Sequence, residues 1–284
     1  MMTPDEIRRG VFRPNDNLGK IRVHIPSFND GSVRRMREVF VKIVIVSDIH
    51  ANLAALEALP EQDYSQLWCV GDLVDYGPKP HEVIQWIKYR ATVAVRGNHD
   101  HAVGFSVDPQ CSFPFKALAA KTQRYTEGIC TEEDVEFLRG LPTQQEIAVN
   151  STRFYLVHAM PTDPLFGYCS EQSDRWKREI ERIDADVLVV GHTHMPFIRI
   201  VGKTTIINPG SLGQPKTGRP LACYALWEDG RVCLKEYEYP LWKAIVQIHS
   251  MPISAEDQDT LITVLQTGAL PNGPNMQSVS GKKV

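Results

Sequence analysis

Five short clusters of histidine, aspartate and asparagine recur along the chain, nearly all of them directly behind an apolar, β-branched run. They are Asp48-Ile49-His50, Gly71-Asp72, Gly97-Asn98-His99-Asp100, Val157-His158 and Gly191-His192-Thr193-His194. A short β-branched run reads as a buried strand, so the polar groups fall at carboxyl ends of strands, where open α/β sheets build their sites. Oxygen and imidazole donors without thiolate suit a hydrolytic metal centre better than a redox one.

The strands alternate with helical segments. Phe40 to Val46 is a continuous apolar run, after which Asn52 can cap a helix whose Leu53, Leu56 and Leu59 share a face. Leu67 to Val70 and Thr92 to Val95 are the next strands, separated by a helix from Pro80 to Tyr89 with proline in its first turn. This β-α-β-α-β rhythm predicts a parallel sheet with crossover helices. Residues 113–140 read as helical, with Thr131 and Asp134 spaced as a capping box and Gly140-Leu141-Pro142 as the stop. Phe154 to Val157 and Val187 to Val190 are two further strands.

After Pro196 the helical signal gives way to four strand-like segments, 197–201, 204–207, 221–227 and 232–237. Stacking them as a second sheet on the first is the simplest way to bury them. Ser254 can cap one last helix, over 255–266.

Three regions are expected. Residues 1–39 form a basic, mobile N-terminal extension, studded with Arg8, Arg9, Arg13, Lys20, Arg22, Arg34, Arg35 and Arg37 and broken by prolines and glycines. It reads as a solvated tail rather than a partner-binding arm, and Met36 is an alternative start. Residues 40–245 carry the catalytic domain, and 246–284 a C-terminal helix with a disordered tail.

Bulk properties exclude several classes. A net charge of -3 argues against a protein that grips a nucleic acid backbone electrostatically. No apolar stretch is long enough for a membrane span, and the N-terminus does not read as a secretory signal. Six cysteines lie scattered without paired spacing, as expected of reduced thiols in the cytoplasm.

Each cluster is ambiguous alone. Asp48 and His50, two apart, can face the same way and hold a divalent cation, but an aspartate behind a strand is often a helix cap. Asp72 has two oxygens and can bridge two cations. Asn98 offers a neutral carbonyl, though Gly-Asn-His-Asp is also a plain polar turn. His158 is weak alone, whereas His192 and His194, released by Gly191, have few purely structural uses.

Taken in order, Asp-x-His, Gly-Asp, Gly-Asn-His-Asp, His and Gly-His-x-His resemble the calcineurin-like metallophosphoesterase superfamily, over about residues 40–240. Ser47 to Leu53, Gly71 to Pro78 and Asn208-Pro209-Gly210-Ser211 are most similar to its small bacterial and archaeal phosphodiesterase branch. The resemblance implies an α/β/β/α sandwich of two mixed sheets flanked by helices. It implies one cation on Asp48, His50, Asp72 and His194, and another on Asp72, Asn98, His158 and His192. It further implies a metal-bridging hydroxide that attacks phosphorus, with both cations stabilising the added charge. His99 would be the general acid for the leaving oxygen and Asp75 the carboxylate that orients it and keeps it protonated.

The donors suit manganese first, then iron, zinc, nickel or magnesium. Tyr76 stands where the protein phosphatase branch has a phosphate-clamping arginine, which argues against phosphoprotein substrates. Arg96, His101, Asp163, Tyr168 and the loop 208–213 are further candidates near the site. The expected activity is hydrolysis of small phosphodiesters, such as cyclic nucleotides, or of phosphomonoesters, with no membrane partner and no stable nucleic-acid complex. The alternative is a non-catalytic scaffold of the same fold that binds a protein partner.

Overall fold

The computed structural model describes residues 40–111 and 113–270. The expected N-terminal extension, with Met36, and the C-terminal tail lie outside the described residues. Ten strands form two mixed sheets of five. The first has the order β10 (Arg231–Tyr237), β9 (Ala222–Glu228), β1 (Lys42–Val46), β2 (Gln66–Cys69) and β3 (Val93–Ala94). The second runs β4 (Gln144–Val149), β5 (Thr152–Val157), β6 (Val187–Val189), β8 (Thr204–Asn208) and β7 (Phe197–Val201). Strands β1, β2 and β3 are parallel, with β9 and β10 added by antiparallel pairing beyond β1, and β3 at the opposite edge; β5, β6 and β8 are parallel, flanked by antiparallel β4 and β7.

Strand β1 explains the layering. Ile43 and Ile45 point into the core between the sheets, with Trp68, Phe154, Leu156, Val189 and Trp227, while Val44 and Val46 face the helices. A strand buried on both faces must be apolar along its buried length, hence the run Ile43-Val44-Ile45-Val46 after Lys42 at its edge. Helices α1 (Leu53–Glu57), α2 (Pro80–Arg90) and α5 (Glu132–Gly140) cover the outer face of the first sheet through Leu56, Val83, Ile84, Ile87 and Leu138. Helix α6 (Arg175–Ile180) covers the second through Trp176. The fold is the α/β/β/α sandwich expected.

Three local expectations differ. The four C-terminal strands do not form one sheet, because β7 and β8 join β6 while β9 and β10 join β1. Strand β9 is buried along nearly its whole length, which only an interior position allows. The helical stretch 113–140 breaks at Cys130 into α4 (Phe113–Ile129) and α5, since the Thr131 hydroxyl accepts from the Asp134 amide and starts a new helix. Helices also continue past Pro196: α7 (Leu241–Ile248) precedes α8 (Ala255–Thr267), and both pack with α4 against Ala54 and Tyr76. One more helix, α3 (Asn98–Phe105), begins within the third polar cluster.

Asp134 ties α5 to α2. Its buried carboxylate accepts from the Thr131 amide and hydroxyl (2.8 Å each), Gln85 Nε2 (2.8 Å) and His81 Nδ1 (2.7 Å). Burial alone pushes this carboxyl up, but the bonds from His81, Thr131 and Gln85 outweigh it and hold it below its ordinary value of 3.8. A depressed folded-state pKa stabilises the protein fully above the unfolded value, and that contribution disappears as pH falls through the folded one. Asp134→Ala is expected to cost about 2–3 kcal/mol at neutral pH by removing a cap and stranding its donors. Urea melts should show the gap between variant and unmodified protein closing below pH 4, the ordinary carboxylate range.

Candidate metal centre

The turns behind the strands are laced together. The Asp48 amide donates to the Gly71 carbonyl (3.0 Å), the His50 amide to that of Asp72 (3.0 Å), and the Gly191 amide to that of His158 (2.8 Å). Asp48, His50, Asp72, His192 and His194 all have left-handed backbone, with φ between 47° and 65°. Side chains other than glycine rarely adopt that conformation, and where they do the surrounding structure must impose it. The strain concentrates on the residues picked out by sequence.

All seven expected ligands converge in one cage, buried except for the half-buried His192, in two groups that share Asp72. Donor atoms of Asp48, His50, Asp72 and His194 lie within 4.8 Å of one another, as do those of Asp72, His158 and His192. Asp72 Oδ2 is 3.8 Å from His50 Nε2 and 3.2 Å from His158 Nε2, while its Oδ1 accepts from the His99 amide at 2.9 Å. Asn98 donates Nδ2 to the Pro109 carbonyl (2.7 Å), which turns Oδ1 inward, 3.1 Å from both His158 Nε2 and His192 Nδ1.

Backbone carbonyls set the imidazole tautomers. Nδ1 of His50 faces Val74 O (2.9 Å), that of His158 faces Val70 O (2.7 Å), and that of His194 faces Gln214 O (2.7 Å). A carbonyl only accepts, so each Nδ1 carries the hydrogen and each Nε2 turns into the cage, the outer-shell pattern of metal-binding histidines.

Electrostatics indicate what such a cage could hold. Both Asp48 oxygens are buried without a hydrogen bond, and burial lifts this carboxyl to about 7. Burial also holds His50 and His194 well below the ordinary imidazole value and lowers His192 to about 3. Burial opposes ionisation of Asp72 and protonation of His158 as well. The attraction between the two wins, leaving Asp72 well below its ordinary value and His158 raised to about 9. Neutral imidazoles facing stranded carboxylate oxygens fit a divalent cation, which would satisfy both.

Beside the cage, His99 Nδ1 donates to Asp75 Oδ2 at 2.8 Å and Nε2 lies 3.2 Å from Cys111 Sγ. Asp100 serves the scaffold, accepting from the amides of Asp72 (2.8 Å), Leu73 (2.7 Å) and Gly97 (2.9 Å). Arg96 is spent elsewhere: its guanidinium donates to Arg139 O (2.8 Å) and lies over Phe105. The His101 ring packs tilted against Phe105 with centroids 4.7 Å apart, and Asp163 accepts from the Phe166 amide. Tyr168 is exposed, its ring 6.2 Å from that of His192. The amides of Leu212 and Gly213 are consumed by Ser47 O and Asp48 O, so loop 208–213 is a brace rather than an anion cradle.

The profile of the calcineurin-like phosphoesterase superfamily domain matches residues 41–229. The chain belongs to this superfamily. Among its relatives, an uncharacterized protein of Methanocaldococcus jannaschii, MJ0912, is 28% identical over 72% of this chain and 91% of its own length. The phosphodiesterase YfcE of Escherichia coli is 28% identical over 66% of this chain and 88% of its own. The crystal structure of a metallophosphoesterase from Sphaerobacter thermophilus covers 81% of this chain and 100% of its own, with 28% identity and a TM-score of 0.69. Such calcineurin-like phosphoesterases are metal-dependent, and this chain's Asp/His groups could hold the ions.

Sequence reasoning missed several contributors. The Gln214 carbonyl orients His194, Cys111 touches His99, and Lys216 lies close enough to act electrostatically on Asp48 and Asp72. Carbonyls carry no residue signature, and neither Cys111 nor Lys216 belongs to a motif.

Proposed function

We propose that the protein is a dinuclear metal-dependent hydrolase of small phosphodiesters, cyclic nucleotides among them, or of phosphomonoesters. The observation that carries this reading is the position of Asp72, within reach of both ligand groups. Asp48, His50, Asp72 and His194 would hold one cation, and Asp72, Asn98, His158 and His192 the other, with manganese the first choice. When bound, such a pair supplies water activation and neutralises charge on the phosphoryl group.

The chain's own residues do the rest. His99 Nε2 donates a proton to the leaving oxygen, taking the direction now occupied by Cys111 Sγ. Asp75 holds the opposite ring nitrogen, and negative charge around the ring raises His99 well above the ordinary imidazole value despite burial, which keeps the acid loaded. The filled ligand set and an oriented acid favour an enzyme over a scaffold of the same fold. The free cysteines fit a reducing compartment, and we place the protein in the cytoplasm; no helix among the described residues is long and apolar enough to cross a membrane.

Manganese-loaded protein is expected to hydrolyse members of a panel of p-nitrophenyl mono- and diesters, alkyl phosphate esters and cyclic nucleotides. His99→Gln should lower kcat by about 10²–10⁴-fold on alkyl esters, whose leaving oxygen needs a proton, and much less on p-nitrophenyl esters. Steady-state kinetics alongside metal analysis check both. Failure to cleave any ester with metal bound overturns the reading.

A further inference from the structure

Lys216 is a cation near the ligand cage that, among the described residues, forms no ion pair with a carboxylate. It leaves the loop whose preceding residues brace that cage: the Gly213 amide donates to Asp48 O at 3.1 Å, and the Gln214 carbonyl accepts from His194 Nδ1 at 2.7 Å. The side chain is half-buried and its ammonium sits 4.5 Å from the centroid of the Phe115 ring. Phe115 packs on Tyr76 (6.2 Å between centroids), and Tyr76 packs on both His50 and His99 (4.9 Å each). Lys216 thus lies on the wall that joins one ligand group to the general acid. Among the described residues no carboxylate oxygen comes within 4.0 Å of its ammonium.

The charge nevertheless reaches the cage. It acts on Asp48, Asp72 and Cys111. Burial disfavours the ammonium, and loading the cage with divalent cations adds repulsion rather than relief. A partly desolvated cation beside two metal ions gains a partner only when an anion enters. Lysine suits that role as a compact point charge on a flexible stem, and the aromatic ring below steadies it. Tyr76, by contrast, contributes no charge, and its hydroxyl is turned to Cys111 Sγ at 3.5 Å.

We propose that Lys216 is the phosphoryl-binding cation of this site, closing on a non-bridging oxygen of the substrate between Asp48 and His99. The inference rests on the phosphoesterase reading and deepens it, since a dianionic phosphoryl group gains more from this contact than the single charge of a diester.

The test uses the full chain loaded with manganese, inorganic phosphate as the probe, and the variants Lys216→Met and Lys216→Arg. Calorimetric titration is expected to show phosphate binding weakened about tenfold or more in Lys216→Met and largely restored in Lys216→Arg, with bound manganese unchanged. KM for p-nitrophenyl phosphate should rise in parallel, and KM for bis-p-nitrophenyl phosphate by a smaller factor. Unchanged phosphate affinity in Lys216→Met, while the unmodified protein hydrolyses esters, overturns this inference and leaves the phosphoesterase reading standing. Loss of manganese from Lys216→Met also overturns it, because the lysine would then be supporting the cage. An unmodified protein inert to every ester and blind to phosphate overturns the phosphoesterase reading, and this inference with it.

Discussion

Replacing Asp72 by asparagine is expected to reduce kcat/KM roughly 10³-fold or more, the largest activity loss of any single conservative change. Asparagine keeps the shape, and its amide oxygen can still accept from the His99 amide, as Asp72 Oδ1 does at 2.9 Å. What vanishes is a negative oxygen within reach of both His50 and His158. An amide NH₂ in that place offers protons to the two imidazoles and has no lone pair for a cation. The metal-free variant should therefore fold normally while elemental analysis shows one or both ions lost. Wild-type activity with a full metal complement would remove Asp72 from the reaction.

Gly213→Ala is expected to have the largest effect on stability. A Cβ there would lie 1.7 Å from the Ile49 carbonyl oxygen and 2.6 Å from its carbon. The obstacle is backbone, so no rotamer change relieves it, and the displaced segment is the turn that carries Asp48 and His50. Overpacking of this kind costs about 3 kcal/mol or more. For a domain of this size that is a fall in Tm of about 6–12 °C. Gly128→Ala provides the contrast: in α4, with nothing within 4 Å of the added atom, it should stabilise by about 0.5–1 kcal/mol. Thermal melts of the two variants separate local clash from a general sensitivity to lost glycine. Equal melting temperatures would contradict the steric argument.

The parts of the fold that could be read from sequence share one property: their physics is local. The apolar run Ile43 to Val46 of β1, the proline that opens α2 and the Thr131–Asp134 cap each announce themselves within a few residues. The allocation of β8 to one sheet and β9 to the other depends on partners far away in the chain, which no local pattern encodes. Helix α7 hides behind Pro240, and the polar edge strand β4 has too few buried positions to stand out.

The same contrast holds at the site. Asp48, His50, Asp72, Asn98, His158, His192 and His194 were legible because chemistry demands those residue types behind strands, and the structure brings them together. The Val70, Val74, Pro109 and Gln214 carbonyls that aim them were not, because any residue supplies a carbonyl.

Asp48, His50 and Asp72 extend from the first sheet, whereas His158, His192 and His194 extend from the second. Ions held between them would act as a clasp across the seam of the sandwich. Cation occupancy and cohesion of the two layers are then one linked equilibrium: whatever free energy the ions gain on binding the folded chain also resists its opening.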